Sequence, residues 1–174
     1  KKLFAGELSY INSDLEEEPA DEKRISWTRL FTIRQTWAFI AGKFFTDPIW
    51  YFYLFWLPSY FSSIFNLDLK KPTLPLIIIY TATTIGSVGG GYLSSYFIKK
   101  GLPVYKARKI AMFIFAVCVV PIITAKYVTN MWTAVALMSL AAAAHQAWSA
   151  NIFTTVSDMF PKSAVSSVVG LGSM

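Results

Sequence analysis

Long apolar stretches separated by short clusters of charge are the feature that most constrains the fold of this chain. One of them, IAMFIFAVCVVPIITA at 110–125, contains no charged residue. Only 15% of the 174 residues are charged, against about 25% in soluble domains, whereas 55% are hydrophobic and 17% are aromatic. A soluble domain of this size cannot hide so much apolar surface. The layout predicts an all-α protein that crosses a membrane several times.

Four stretches are long enough to cross a bilayer as helices. At about 1.5 Å per residue, the first covers roughly 39 Å, which spans a bilayer with some tilt. We predict four spans and the start of a fifth, at about 36–61, 74–98, 110–128 and 131–156 and from 164 onwards. Because the chain lacks an initial Met and ends within an apolar segment, we expect it to be a fragment of a longer protein.

The basic residues predict which loops face the cytoplasm. The polar segment 1–35 carries most of the acids but also four basic residues just before the first span, and the loop KKGLPVYKARK at 99–109 carries five more. Cytoplasmic loops are enriched in Lys and Arg, so both segments are predicted to be cytoplasmic, with 36–174 forming the transmembrane bundle. The third span is apolar on every side and is expected to lie at the periphery, against lipid.

Two charged residues, Lys43 and Asp47, stand inside the first predicted span. They are four residues apart and therefore share one helix face, which Trp50 continues. An ionised group at this depth costs several kcal/mol unless it is paired or hydrated. Two interpretations remain open: the two residues pair along the helix or Lys43 reaches the interface, or this face lines a water-filled cavity in which Lys43 holds an anion.

The second span combines hydroxyl side chains with glycine. Tyr80 and Thr84 share a face that is able to reach a cavity. Gly86 and Gly90 are also four apart, a small-xxx-small pair that lets another helix approach closely. We therefore expect this span to pack tightly against a second helix.

The fourth span contains HQAWSANIFTT, a polar cluster at membrane depth. Amide and hydroxyl groups bind sugar hydroxyls while Trp covers the apolar ring face, which makes this a candidate sugar site. Its candidate residues are His145, Gln146, Trp148, Ser149 and Asn151. The alternative is hydrogen bonding between helices. His145 either takes part in proton movement or lies at the interface near the outer end of the span.

Enzymes and nucleic-acid binders are disfavoured. The chain has one His and one Cys, with no metal-ligand spacing, phosphate loop or nucleophile motif, so we expect no catalysis and no cofactor. Cys118 has no second cysteine with which to form a disulfide and is interpreted as a packing residue. The net charge of +6 comes from residues that flank apolar segments, which is not the pattern of a nucleic-acid-binding surface.

Several segments of the chain resemble the hexuronate transporters of bacteria, in the anion:cation symporter branch of the major facilitator superfamily. They are RQTWAFIAGKFFTDPIWYFYLFWLPSYF, GGGYLSSYFIKKG and HQAWSANIFTTVSDMFPKSAVSSVVGLGSM. The resemblance covers nearly the whole chain and places it at the central loop, helices seven to ten and the start of helix eleven. It implies the C-terminal half of a twelve-helix transporter in the inner membrane, with a six-helix N-terminal half as its partner.

The resemblance also implies a function and site residues. It implies alternating access with uptake of glucuronate or galacturonate together with protons. Lys43 would meet the sugar carboxylate, Trp148 and Asn151 the ring and its hydroxyls, and Ser173 would face the cavity. The basic loop at 99–109 loosely matches the superfamily's loop motif but lacks its acidic residue, so no gating contacts are assigned. The alternatives are a carrier for another sugar acid, such as an aldonate or glucarate, and a non-transporting membrane sensor.

Overall fold

The computed structural model describes residues 26–68 and 73–174. Most of the segment predicted to precede the bundle, residues 1–25, lies outside the described residues. Within the described ranges the chain is helical, with no strand. The elements are α1 (Trp27–Leu30), α2 (Arg34–Phe65), α3 (Leu74–Lys99), α4 (Val104–Val119), a 3₁₀ helix (Val120–Tyr127), α5 (Met131–Met159) and α6 (Lys162–Gly172).

Local chemistry explains where several helices begin and end. Helix α2 runs four residues past the predicted span and stops at Asn66, which takes the left-handed conformation with φ 53°. Helix α5 begins after Asn130, whose side-chain oxygen accepts hydrogen bonds from the backbone N–H groups of Trp132 and Thr133. Its C-terminal end at Met159 is followed closely by Pro161, which cannot continue the ladder.

The third apolar stretch differs from its predicted form. It was expected as one helix from 110, but α4 begins at Val104, directly after Pro103, so Lys106, Arg108 and Lys109 lie on the helix and not in a loop. Charge marks the edge of an apolar run but does not stop a helix, since Lys and Arg are good helix formers. Beyond Val119 the chain continues as the 3₁₀ helix, in which Pro121 has no N–H to donate.

Helix α5 is the centre of the described bundle and packs against α2, α3, α4 and α6. The closest approach is to α3, as the glycine pair predicted. A Cβ placed on Gly86 would collide with the backbone of Ala143, and one on Gly90 would lie 2.5 Å from the carbonyl oxygen of Ala147. Both glycines are therefore needed for the backbones of α3 and α5 to touch.

This contact predicts different effects of alanine at two adjacent glycines. Gly90→Ala is expected to lower the free energy of unfolding by about 1–3 kcal/mol, because the new methyl group meets rigid backbone. Gly89→Ala, whose Cβ would meet nothing within 4 Å, serves as the matched control and should be neutral or slightly stabilising. Thermal unfolding of the full-length protein in detergent measures both, and equal effects would contradict the close packing.

Two apolar clusters form the core, one at each end of α5. The first joins the later part of α2, the early part of α3 and the first half of α5 through Tyr53, Leu57, Phe61, Ile79, Ala134, Val135, Ala141 and Ala142. The second joins α1, the early part of α2, the later part of α5, and α6 through Leu30, Phe39, Ile152, Val156, Phe160, Ala164 and Val168. The charged residues of α2 and the polar residues of α5 lie between these two clusters.

Large apolar side chains also cover the outside of the described bundle. Phe44, Phe45 and Phe55 are each at least 70% exposed. Two described segments, Leu74–Lys99 and Val104–Tyr127, are long and apolar enough to cross a membrane. Helices α2 and α5 are longer, with 32 and 29 residues. An outer surface of this kind is suited to hydrocarbon and not to water.

The charged ends of α3, α4 and α5 are joined by Arg108. Its Nε donates to Asp158 Oδ2 at 2.9 Å, and its Nη1 donates to the fully buried Ser94 Oγ at 2.9 Å. The loop motif lacks an acidic residue of its own, but α5 supplies one from 50 positions further along the chain. Arg108 thus fixes the basic end of α4 against both of its neighbours.

Candidate functional site

A group of charged and aromatic side chains lies between the two apolar clusters, where α2 faces α5. We call Lys43, Asp47, Trp50, His145 and Phe153 the Lys43 cluster. Successive turns of α2 supply the first three, at spacings of four and three residues, and α5 supplies the other two. Lys43, Asp47 and Trp50 therefore share one face of α2, as their spacing predicts, and this face packs against α5.

Lys43 is buried, with 6% of its surface exposed, and it is paired. Its Nζ lies 2.6 Å from Asp47 Oδ1, one helical turn away. The same Nζ lies 4.3 Å from the centre of the Phe153 ring, within the range of a cation–π contact. Of the two interpretations from the sequence, the pair along the helix is the contact present in this conformation. The ammonium group has three donors, so it retains capacity for a further acceptor.

Asp47 is the more exposed member of the ion pair. The Asp47 side chain is 34% exposed, while that of Lys43 is 7% exposed. A carboxylate approaching from the Asp47 side would therefore meet an ammonium group that is already largely desolvated. Such a cation binds an anion more strongly than one in water does, because the local dielectric is lower.

His145 is held from two sides. Its Nε2 lies 2.9 Å from the Thr46 carbonyl oxygen, and its ring stacks on Trp50 with centroids 6.2 Å apart and planes 7° apart. It is 8% exposed and sits near the middle of the 29-residue α5. The proposed placement near the outer end of the span is therefore wrong, because α5 extends well beyond His145 in both directions.

Gln146 and Ser149 lie on the same flank of α5 as Phe153. Ser149 is one turn before Phe153 and Gln146 is two turns before it, and both are half buried. An amide and a hydroxyl therefore lead along α5 toward the ring that touches Lys43.

Trp148 points to a different side of α5. It lines a cavity of about 240 Å³ between α2, α4 and α5, together with Thr46, Tyr53, Phe115 and His145. The walls of this cavity are mostly carbon. Trp148 also lies against Gly42, because a Cβ added there would come within 3.6 Å of its ring. Trp148 therefore contacts α2 beside Lys43, but from a different side of α5 than Gln146.

Asn151 is fully buried at the contact between α3 and α5. Its Nδ2 donates to the carbonyl oxygens of Gly90 and Ala147, both at 2.9 Å. The bond to Gly90 crosses between helices at the point of closest approach. Of the two roles considered from the sequence, hydrogen bonding between helices is the one present in this structure.

The remaining predicted site residues lie outside the Lys43 cluster. Tyr80 is half buried on α3, and Thr84 is exposed with its hydroxyl 3.5 Å from the Tyr80 carbonyl oxygen. Ser173 is exposed just past α6 and donates to the Val169 carbonyl oxygen. Its neighbour Gly172 packs against Phe39, one turn before Lys43. The end of α6 thus approaches the cluster, whereas among the described residues no hydrogen bond or ring contact joins Tyr80 or Thr84 to it.

Phe153 is the site residue that sequence reasoning did not single out. The Phe153 ring contacts the Lys43 ammonium group and also packs edge to face against Phe39, with the two ring centres 5.9 Å apart. Phe39 therefore helps to hold the ring that touches Lys43. The position of Phe153 one turn after Ser149 indicates that it shares the face of the other candidate residues. Its contact with Lys43, however, depends on how α5 is rotated against α2, which the sequence does not show. In the part of the chain that the structure describes, no three His, Cys, Asp or Glu side chains gather as metal ligands.

Comparisons with known proteins bear on the family. The family model described as Major Facilitator Superfamily matches residues 5–174. The hexuronate transporter of Escherichia coli K12 is 25% identical over 177 residues, covering 100% of this chain and 41% of that protein. The probable L-galactonate transporter of the same strain is 30% identical over 143 residues, covering 80% of this chain and 31% of that protein.

A further relative has a comparable likeness. The probable galactarate/D-glucarate transporter of Escherichia coli K12 is 27% identical over 175 residues, covering 94% of this chain and 39% of that protein. No solved structure matches the chain. This chain thus spans about two fifths of the length of these relatives. Because the family model matches nearly the whole chain and the fold is an apolar bundle of helices, the chain belongs to the Major Facilitator Superfamily and has its polytopic, all-α membrane fold.

Proposed function

We propose that the full-length protein is a secondary active transporter that imports hexuronates, glucuronate or galacturonate, by proton symport. Transport would proceed by alternating access, with the ligand held between this chain and the N-terminal six-helix half of the same protein. The relatives named for hexuronate, galactonate and glucarate transport support a sugar-acid cargo. The bacterial origin of these relatives supports placement in the inner membrane.

The observation that carries this proposal is the buried cation on α2. Lys43 is 6% exposed in a helix of a membrane bundle, with a partner, Asp47, whose side chain remains 34% exposed. Ionisable residues inside membrane bundles generally mark the path of a substrate or ion. The carboxylate of a sugar acid would bind the ammonium group from the open side of Asp47, and the Phe153 ring would keep that group in place.

The rest of the sugar acid requires polar contacts. Gln146 and Ser149 lie on the flank of α5 that leads to Phe153, and we propose that they bind ring hydroxyls. Trp50 would cover an apolar ring face beside them, since it lies one turn from Asp47 and is half buried. Trp148 and Asn151 would then act indirectly, by setting the position of α5 against α2 and α3.

The second candidate is a carrier for an aldonate or aldarate. The relatives named for L-galactonate and for galactarate/D-glucarate transport match about as closely as the hexuronate transporter does, which favours keeping this candidate. These acids share a carboxylate and a chain of hydroxyls with hexuronates but lack the sugar ring. Inhibition of labelled glucuronate uptake by unlabelled galacturonate, galactonate and glucarate separates the two candidates.

The direct test is uptake of labelled glucuronate by proteoliposomes that contain the full-length protein. We expect accumulation when the outside is more acidic than the inside, and only equilibration once an ionophore removes the proton gradient. Binding without accumulation under either condition would contradict transport and favour the membrane sensor. Accumulation of galactonate or glucarate but not glucuronate would move the assignment to the second candidate.

A further inference from the structure

The hydrogen bond to Thr46 determines which nitrogen of His145 carries the proton. A carbonyl oxygen only accepts, so the 2.9 Å contact requires a hydrogen on Nε2. The neutral ring then has a lone pair at Nδ1. This atom is buried and has no hydrogen-bond partner among the described residues. Five buried side-chain oxygens of the described residues also have no partner, but only His145 Nδ1 among these atoms is a basic nitrogen whose free lone pair can bind a proton.

The charged neighbours of His145 come from α2. The charges of Lys43 and Asp47 both act on the ring, and the hydroxyl of Tyr53 belongs to a residue of the same cavity. Helix α4 contributes only apolar residues there, and α3 meets α5 through glycines. Along α5 the other titratable residue is Asp158, at the far end of the helix. Among the charged groups of the described residues, Lys43 and Asp47 are therefore the two that act on the ring.

A proton on His145 would act on the two members of that pair in opposite directions. The imidazolium would attract the Asp47 carboxylate and repel the Lys43 ammonium group. Asp47 is held close to the ring, because the residue before it in the chain, Thr46, accepts the hydrogen bond from Nε2. Trp50, one turn after Asp47 on the same helix, stacks on the ring as well. The 2.6 Å contact would weaken, and Lys43 would become available to another carboxylate.

The net charge of the cluster favours binding of a proton and a sugar carboxylate together. With His145 neutral, Lys43 and Asp47 cancel and the cluster has no net charge. One bound proton makes the charge +1, and one bound sugar carboxylate returns it to zero. Empty and fully loaded states are then both neutral, whereas a proton alone or an anion alone leaves a net charge in a region of low dielectric, which is costly.

From this geometry, and resting on the proposed function, we infer that His145 binds the coupling proton in this half of the protein. Its protonation releases Lys43 from Asp47, so proton and sugar acid bind cooperatively at one cluster. Because such coupling is reciprocal, glucuronate must in turn strengthen proton binding by His145. Asp47 is then the switch that occupies Lys43 when neither ligand is bound.

Glucuronate binding to the purified full-length protein tests this, measured by calorimetry between about pH 5 and about pH 8, a range in which histidine changes charge while a sugar carboxylate stays ionised. For the unaltered protein the affinity should rise toward low pH, with a limit of about tenfold per unit for one linked proton. His145→Gln keeps an N–H for Thr46 and should bind weakly at every pH. Asp47→Asn should bind tightly at every pH.

The two variants differ in sign, which a merely structural role for His145 would not produce. A pH profile of His145→Gln that matches the unaltered protein would overturn the inference while leaving glucuronate transport intact. If the unaltered protein binds no sugar acid at any pH, the proposed function fails. In that case ¹⁵N-histidine NMR of the full-length protein tests the inference. The His145 resonance is identified by its absence from the His145→Gln spectrum. It should change chemical shift with pH and should also shift when Asp47 is replaced with asparagine, and a resonance that does neither overturns the inference.

Discussion

Replacing Lys43 with alanine is expected to lower glucuronate uptake by the full-length protein by about 100-fold. Removing one partner from a buried, hydrogen-bonded charge pair costs about 2–5 kcal/mol, a range of about 30-fold to a few thousand-fold that includes the expected loss. The Lys43 ammonium group is desolvated, and no other described Lys or Arg belongs to its cluster. The measurement is initial uptake by proteoliposomes at saturating proton gradient, normalised to the amount of protein inserted.

Two controls separate recognition from general damage. Lys106→Ala removes an exposed cation from α4 and should leave uptake close to normal. Lys43→Arg keeps the positive charge but should retain only an intermediate rate, because the planar guanidinium group donates its hydrogen bonds in a fixed fork and not from one compact centre. Normal uptake by a well-inserted Lys43→Ala protein would remove the proposed carboxylate site.

Replacing Asp47 with alanine is expected to destabilise the protein more than replacing both members of the pair. Alanine at 47 leaves Lys43, 6% exposed, with no carboxylate at 2.6 Å. Breaking a fully buried pair costs several kcal/mol, but the Asp47 side chain is 34% exposed, so we expect a loss of about 1–3 kcal/mol. In the double variant Lys43→Ala/Asp47→Ala the unpaired charge disappears and most of that loss should be recovered.

Thermal unfolding in detergent measures both proteins against the unaltered one. The matched single variant Lys43→Ala should be milder than Asp47→Ala, because water reaches the remaining carboxylate more easily than it reaches the ammonium group. Losses that simply add in the double variant would mean that the two side chains do not interact. The 2.6 Å contact would then have no energetic role.

Local sequence features predicted the helices and the pairing along α2. Apolar runs located α3 to within a residue at either end, and the i,i+4 spacing brought Lys43 to Asp47. The pair Gly86 and Gly90 predicted a close helix contact, which α5 provides. Each of these features depends on residues within one or two turns of each other, so the sequence contains what is needed to infer them.

Contacts between distant helices could not be predicted in the same way. Whether Asn151 faces α3 or a cavity depends on the rotation of α5, which neighbouring residues do not determine. The same rotation brings Phe153 to Lys43, and the pair of Arg108 with Asp158 joins residues 50 positions apart. The cytoplasmic placement of the basic segments stays a prediction, since it concerns the membrane and not the contacts within the bundle.

The central claim is that a buried cation recognises the carboxylate of a sugar acid, and glucuronamide tests it most directly. This compound keeps the ring and hydroxyls of glucuronate but replaces the carboxylate with a neutral amide. In competition with labelled glucuronate for uptake by the full-length protein, we predict that unlabelled glucuronate inhibits and that glucuronamide fails to inhibit even at about 100-fold higher concentration. Equal inhibition by the two compounds would contradict recognition of the carboxylate by Lys43.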